Sequence, residues 1–444
     1  MNDRIIFTSA TLYDGRKGRR QGTTVVVENG RIAWIDDAGA PPQVGGRRID
    51  LAGKAVMPGM SVGHWHGEFL EIGPPEFGDK THSGWYLGTE KPPAVLALQA
   101  AAAMKTALYS GVMRVISASC SNNLDTQMKM AVDSGLIEGP HLTPCSRHVI
   151  TTGDGEDRGL WWRTPAPVKD GVRRFGHNVI VDGVPDIIKA VREEISFGAD
   201  IIKILPNAGH GFDWTPTYRG LLPDEMRAVV RTAHERDRRV RAHVTTRESI
   251  LECIEVGVDI LDHCDYLDDE CIEAMARHGT FYVPTALIAK LVCSAGQGQP
   301  LDMSKSGDRA WANLLQMLPR ANKAGVKIVP GDDYGSKGLP HELGGYAREL
   351  EMYVKEFGIP AEDVIRWTTA NGADMALLGT ETGTIEVGKT ADLIVVNGDP
   401  GEDIGILTDP VRNLKAIMQN GRFVKDDLAA TEGRIAPQSV ATTG

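Results

Sequence analysis

The sequence predicts an α/β protein: a (β/α)8 barrel of TIM type with a small β-sandwich domain formed by both termini. Short β-like runs alternate with helical stretches through the middle of the 444 residues, and hairpin-forming segments sit at both ends. Side chains of metal-ligand type also recur at the ends of the β-like runs, where barrel enzymes carry their catalytic groups.

At the N-terminal end, residues 4–8 form one β-like run. Residues 23–28 form another and meet Asn29-Gly30, a strong hairpin signal before 31–35. The C-terminal end mirrors this. Residues 391–396 are β-like, and 414–418 meet Asn420-Gly421 before 422–424. In the middle, β-like runs fall at 55–57, 114–116, 142–149, 201–205, 239–244, 259–263, 281–285 and 327–329. Helical patterns lie between them at 94–109, 184–197, 223–238, 247–256 and 269–278. About eight βα units favour a closed barrel over an open sheet, and a barrel of about 250 residues with insertions plus a small domain accounts for the length. The expected division is 1–56 with 384–427 as the composite β-domain, 57–383 as the barrel, and a polar, mobile tail at 428–444.

The composition is that of an ordinary globular protein, with 42% hydrophobic and 24% charged residues. A net charge of −11 argues against nucleic acid as the main partner. The six cysteines include no C-x-x-C pair, so a cysteine zinc site is not expected; reduced thiols and a cytoplasmic location are. Neither a signal peptide nor a membrane-spanning segment is expected. The expected partners are a small-molecule substrate and further copies of the chain in a homo-oligomer.

Five strand ends carry ligand-type residues. His64 and His66 flank Trp65, and residues two apart in a strand point to the same side. Lys203 sits inside the apolar run Ile201-Ile202-Lys203-Ile204-Leu205. A lysine there must lose or pair its charge, by reaction with CO2 to a metal-bridging carbamate, by a buried ion pair or by snorkelling. His243 and His263 each end a short apolar run. Asp332 and Asp333 follow Val326-Lys327-Ile328-Val329, and an aspartate there can bind metal and accept a proton. Any one of these histidines alone reads as structural; five such sites on successive strand ends do not. Of the other histidines, His148 and His341 fall near predicted strand ends, while His82, His177 and His210 fall in loops.

These segments resemble the amidohydrolase superfamily, in particular the imidazolonepropionase-like proteins, the carboxylated-lysine Xaa-Pro dipeptidases and the ochratoxin-hydrolase-like group. Pro58-Gly59 leading to His64-Trp65-His66, Asp200-Ile201-Ile202-Lys203, Arg241-Ala242-His243, Asp259-Ile260-Leu261-Asp262-His263 and Gly331-Asp332-Asp333 carry the resemblance, which spans nearly the whole chain. It places Asp333 in the catalytic position, with Asp332 where threonine is common. Three departures stand out. Val62 replaces an aspartate before the first histidine, the turn at 151–157 lacks a histidine, and Thr245 replaces a second histidine of the fifth strand.

The resemblance implies two divalent metal ions, zinc first and manganese, iron or cobalt as alternatives. His64, His66 and Asp333 would hold one ion and His243 and His263 the other, with a CO2-derived carbamate on Lys203 bridging them. Asp333 would take a proton from the attacking water and pass it to the leaving group. His148 or Tyr218 would stabilise an oxyanion. Aromatic residues in the loops, Trp85, Trp161, Trp162 and Trp214, together with Trp65, suggest an apolar or aromatic substrate portion, with loop packing as the alternative. Arg147, Arg163 or Arg219 could pair a substrate carboxylate, and His341 could touch substrate. The expected reaction is hydrolysis of an amide such as an N-acyl amino acid, a dipeptide or an aromatic amide. The alternatives are ester, lactone, carbamate or urea hydrolysis, ring deamination, or a non-catalytic scaffold.

Overall fold

A computed structural model describes residues 4–16, 18–36, 45–67, 92–154, 157, 176–207, 219–295, 304–335 and 339–428. Of the tail expected at 428–444, Leu428 is instead buried in the core of the composite sheet, and 429–444 lie outside the described residues. The N-terminal strands are β1 (Arg4–Tyr13), β2 (Arg19–Glu28), β3 (Arg31–Asp36), β4 (Arg47–Asp50) and β5 (Lys54–Pro58). The next group is β6 (Met60–Trp65), β7 (Val112–Ser117), β8 (His141–Thr143), β9 (Cys145–Ile150) and β10 (Asn178–Ile180). It continues with β11 (Ile201–Ile204), β12 (Arg239–Val244), β13 (Ile260–His263), β14 (Phe281–Val283) and β15 (Lys327–Ile328). The last three are β16 (Leu393–Asn397), β17 (Leu414–Gln419) and β18 (Arg422–Asp426).

The two ends of the chain share one sheet, in the order β18-β17-β16-β5-β1-β2-β3 with β4 on β1. The expected small sandwich is this single mixed sheet of eight strands, folded over a core of its own. Alternation along β16 shows how. Leu393 and Val395 join Phe7, Val25 and Met418 in that core, while Ile394 and Val396 pack into the barrel core. Both Asn-Gly pairs form turns with positive φ, at Asn29 and Gly30 and at Asn420 and Gly421, as the sequence signal requires.

Eight parallel strand positions make the barrel: β6, β7, β8 with β9, β11, β12, β13, β14 and β15. Pro144 breaks the third position in two, and its carbonyl accepts from Asp200 and Ile201 at the start of β11. The ring closes between β15 and β6. Gly63 N–H donates to Pro330 O at 2.7 Å, and Trp65 bridges Tyr334 in parallel. Residues 55–57 belong to the composite sheet instead, and the first barrel strand is β6. The crossing is made at Gly59, where a Cβ would fall 1.9 Å from the Met113 side chain. Strand β10 is a further addition, pairing with β9 outside the eight. No helix among the described residues is long and apolar enough to cross a membrane.

Candidate metal centre

His64 lies in β6 and His66 just beyond its end, with both rings on the same side of the strand. His64 Nε2 and His66 Nε2 are 3.1 Å apart. Asp333 Oδ1 lies 2.8 Å from the first and 3.3 Å from the second. His66 Nδ1 is 2.8 Å from the Ser119 carbonyl, which can only accept. The ring proton therefore sits on Nδ1, and the Nε2 lone pair faces the centre. Burial pushes the His66 pKa down to about 4, so the ring is neutral near pH 7. His64, His263 and Asp333 each place one ligand atom within 4.8 Å of the others. A tetrahedral cation about 2.0–2.1 Å from each donor spaces them by about 3.3 Å, so this donor set suits a divalent ion.

His263 ends β13 at φ 69°, followed by Cys264 at φ 54°. That turn lifts the ring out of the strand and is held by Thr285 Oγ1, 2.6 Å from His263 Nδ1, and by Tyr282 OH, which donates to the His263 carbonyl at 3.2 Å. The His243 ring lies edge-on to His263, with centroids 4.4 Å apart. Lys203 is buried and donates to Asp262 Oδ2 at 2.5 Å. Burial lowers the lysine pKa, with Asp262 opposing the shift. Burial would raise Asp262, but Arg241 and Lys203 outweigh it and hold the carboxyl well below the usual carboxylate range. Lys203 thus has the buried ion pair that its sequence context allowed for.

Asp333 is 19% exposed, and its loop is pinned from below. Asp332, in the position where threonine is common, is wholly buried and accepts from Leu287 and Ile288 N–H at 2.7 and 3.1 Å. Glu349, also buried, accepts from Gly331 N–H and Tyr353 OH. Gly331 itself tolerates no side chain, because a Cβ would lie 2.2 Å from His64 N. Thr245, at the position of the missing second histidine, is locked to Asn207. Asn207 Nδ2 donates to its hydroxyl at 2.7 Å, and Thr245 N–H donates to Asn207 Oδ1 at 3.2 Å.

His148 pairs in register with Lys203 across β9 and β11. Its buried Nδ1 has no hydrogen-bond partner among the described residues. Burial and the neighbouring His177 hold its pKa well below the usual histidine value. His177, read from the sequence as a loop residue, is buried and stacks on His148 with centroids 4.3 Å apart and beside His66 at 5.7 Å.

Several expectations for the substrate side need correction. Trp65 is wholly buried, stacked against His341 at 5.5 Å, and forms the wall behind the two histidines instead of a substrate surface. Both nitrogens of His341 are engaged: Nε2–H donates to the His66 carbonyl at 2.9 Å, and Nδ1 accepts from Tyr346 OH at 2.8 Å. Arg147 is bonded to Glu194, and Arg219 to Glu252, so neither guanidinium is held out for a substrate carboxylate. Tyr218, Trp85, Trp161, Trp162, Trp214 and Arg163 lie outside the described residues.

Sequence reading missed His177, Arg241 and Asp262. The last two had a signal: opposite charges inside two adjacent apolar strands, each one or two residues before a ligand-type histidine.

The amidohydrolase family model matches residues 55–426. Ochratoxinase of Aspergillus niger is 28% identical over 319 residues, 67% of this chain; the match spans only 63% of ochratoxinase. An imidazolonepropionase of Salinispora arenicola (strain CNS-205) is 25% identical over 404 residues, 88% of this chain and 90% of that protein. Among solved structures, a prolidase complexed with N-methylphosphonate-L-proline has a TM-score of 0.80 and 26% identity, covering 95% of this chain and all of that one. With the barrel, the composite sheet and a match across most of its length, the chain belongs to the amidohydrolase family.

Proposed function

We propose that this protein hydrolyses the C–N bond of an amide, using two divalent ions at the mouth of the barrel. His64, His66 and Asp333 would hold one ion, His243 and His263 the other, and Lys203, carboxylated, would lie between them. Zinc suits this imidazole and carboxylate set best, with manganese, iron or cobalt able to substitute. The observation that carries the reading is the convergence of His64 Nε2, His66 Nε2 and Asp333 Oδ1 within 3.3 Å of one another.

When bound, such ions polarise a carbonyl and acidify water. The chain supplies the rest. Asp333, partly open to solvent, accepts a proton from the attacking water at Oδ1 or Oδ2 and returns it to the leaving nitrogen. His148 directs its unpartnered Nδ1 to the substrate carbonyl oxygen. His66 stays neutral and fixed by the Ser119 carbonyl. Among amides, the likeness to a prolidase held with a phosphonate of proline favours an N-acyl amino acid or dipeptide.

The test is metal analysis with a substrate panel of N-acyl amino acids, dipeptides, aryl amides and matched esters, assayed with zinc or manganese. Amide cleavage that depends on metal and is lost in Lys203→Ala is the expected result. Full activity in metal-free Lys203→Ala protein would sink the reading, and cleavage of esters alone would move it to ester hydrolysis.

A further inference from the structure

Beneath the candidate ligands lies a fully buried polar hub built from five strands. Asp262 of β13 and Arg241 of β12 are both 0% exposed. Arg241 grips Asp262 with two donors, Nε to Oδ2 at 3.0 Å and Nη2 to Oδ1 at 2.7 Å. The rest of its fork donates to backbone carbonyls of the opposite wall, Nη1 to Ser117 O of β7 and Nη2 to Gly63 O of β6, each at 2.7 Å. The guanidinium is therefore fixed on every side, and through it the carboxylate of Asp262. Each oxygen of that carboxylate then faces one ligand. Oδ2 accepts from Lys203 Nζ at 2.5 Å, and Oδ1 faces His64 Nδ1 at 3.4 Å.

We propose that Asp262, clamped by Arg241, is the positioning residue of the metal centre. It holds the Lys203 nitrogen where the carbamate forms, and it turns His64 so that Nε2 points at the cation. The inference rests on the carboxylated-lysine reading above. In the covalent step the free amine of Lys203 forms an N–C bond to dissolved CO2 and gives one proton to water, leaving a carbamate anion. The nitrogen keeps one hydrogen, which still donates to Asp262 Oδ2 and so fixes the plane of the carbamate. On the His64 side, Asp262 faces Nδ1 as a carboxylate does in a carboxylate–histidine–metal arrangement. Nothing in a barrel strand requires a buried ion pair, and apolar residues of similar volume commonly serve stability as well. What the pair adds here is contact with two ligands at once.

The experiment uses the full chain, reconstituted with zinc in 13C-labelled bicarbonate. It reads the carbamate signal by 13C NMR, metal per chain by elemental analysis, and metal affinity by chelator competition. Asp262→Glu keeps the charge but moves the carboxylate by one methylene. The double variant Arg241→Gln with Asp262→Asn removes both charges together and leaves no half of the pair unmatched. Both are expected to lose at least half of the carbamate signal and to bind metal about tenfold more weakly or worse, as loss of an outer partner usually does. A folded double variant with wild-type carbamate and metal affinity overturns the inference and leaves the carboxylated-lysine reading intact. So does a variant that only melts at lower temperature, since that assigns the hub to stability. Absence of the carbamate signal from the metal-loaded wild-type protein overturns the reading itself, and the inference with it.

Discussion

Arg114 and Arg241 are both 0% exposed and both lie inside barrel strands, yet their surroundings differ. Arg114, in β7, bonds to neutral groups: Ser61 Oγ at 2.8 Å, Thr382 Oγ1 at 3.2 Å and the Gly59 carbonyl. Burial pulls its pKa down to about 10, and the charge of Asp392 offsets this only in part. Thr382 passes the contact on to Asp392, which also accepts from Asn420 N–H in the composite sheet. Arg114 is therefore a rivet at the seam between barrel and sheet. Arg241 is paired directly with an ionised carboxylate whose other contacts are Lys203 and His64. Burial of an arginine alone does not mark a working site. What its partner touches next does. This agrees with the general division of barrel enzymes, where one end carries stability and the other carries chemistry.

The comparison can be broken at either end. At the mouth, Asp333→Asn keeps the shape of the side chain but removes its capacity to take a proton. The metal-loaded variant should lose about 10²- to 10⁴-fold in kcat on the best substrate of the panel, with its circular dichroism and melting temperature near wild type. Retained kcat would remove Asp333 from the proposed proton path. At the seam, Arg114→Met should cost about 3 kcal/mol of stability in a denaturant titration, because Gly59, Ser61 and Thr382 lose a buried donor. Metal per folded chain and kcat should not change. A loss of metal in Arg114→Met would erase the distinction drawn between the two arginines.

The sequence exposed the mouth better than it exposed what lies beneath. His64, His66, His243, His263 and Asp333 announce themselves by standing at the end of a β-like run, and Lys203 by its charge inside an apolar one, local properties that need no knowledge of neighbours. The barrel followed from the count of such runs. The first strand was misplaced because residues 55–57 are as apolar as a barrel strand. The crossing from one sheet to the other falls at Gly59, which packs against Met113 more than fifty residues away, a contact that no local pattern reveals. Asp262 and Arg241 were in plain view as charges inside apolar strands, but their meaning depends on pairing across β11, β12 and β13, which is a tertiary fact. His177 was obscured because strand β10, three residues long, is too short to register as a run. The aromatic residue between the two first-strand histidines illustrates the converse error. Alternation puts Trp65 on the opposite face from His64 and His66, so the residue nearest the ligands in sequence is turned away from the centre.

A third prediction tests whether outer contacts on the chemical side behave like the hub. Thr285→Val keeps the shape of the side chain and removes the hydroxyl that lies 2.6 Å from His263 Nδ1. Metal affinity should fall about tenfold in chelator competition, with little change in melting temperature of the metal-free protein. An unchanged affinity would show that the backbone turn at His263 and Cys264 alone holds the ring.

The smallest effect concerns pH and His341, which bonds to Tyr346 and to the His66 carbonyl. Burial lowers its pKa to about 4, with the carbonyl of His66 opposing the shift. In the unfolded chain a histidine titrates near 6.5. Between these values the unfolded state binds a proton that the native state refuses. Stability is therefore full above about pH 6.5 and falls as the pH is lowered toward 4. His66 adds a second fall in the same window, since burial lowers it to about 4 as well. The metal-free protein should thus melt at progressively lower temperature from pH 7 to pH 4.5. His341→Phe should start lower at pH 7, having lost its bond to the His66 carbonyl, and then decline less steeply, because His66 and His148 still resist protonation in the fold but position 341 no longer titrates. Parallel curves for wild type and variant would mean that His341 already accepts a proton in the folded state. Its bond to His66 would then be made by an imidazolium, and Tyr346 could no longer donate to it.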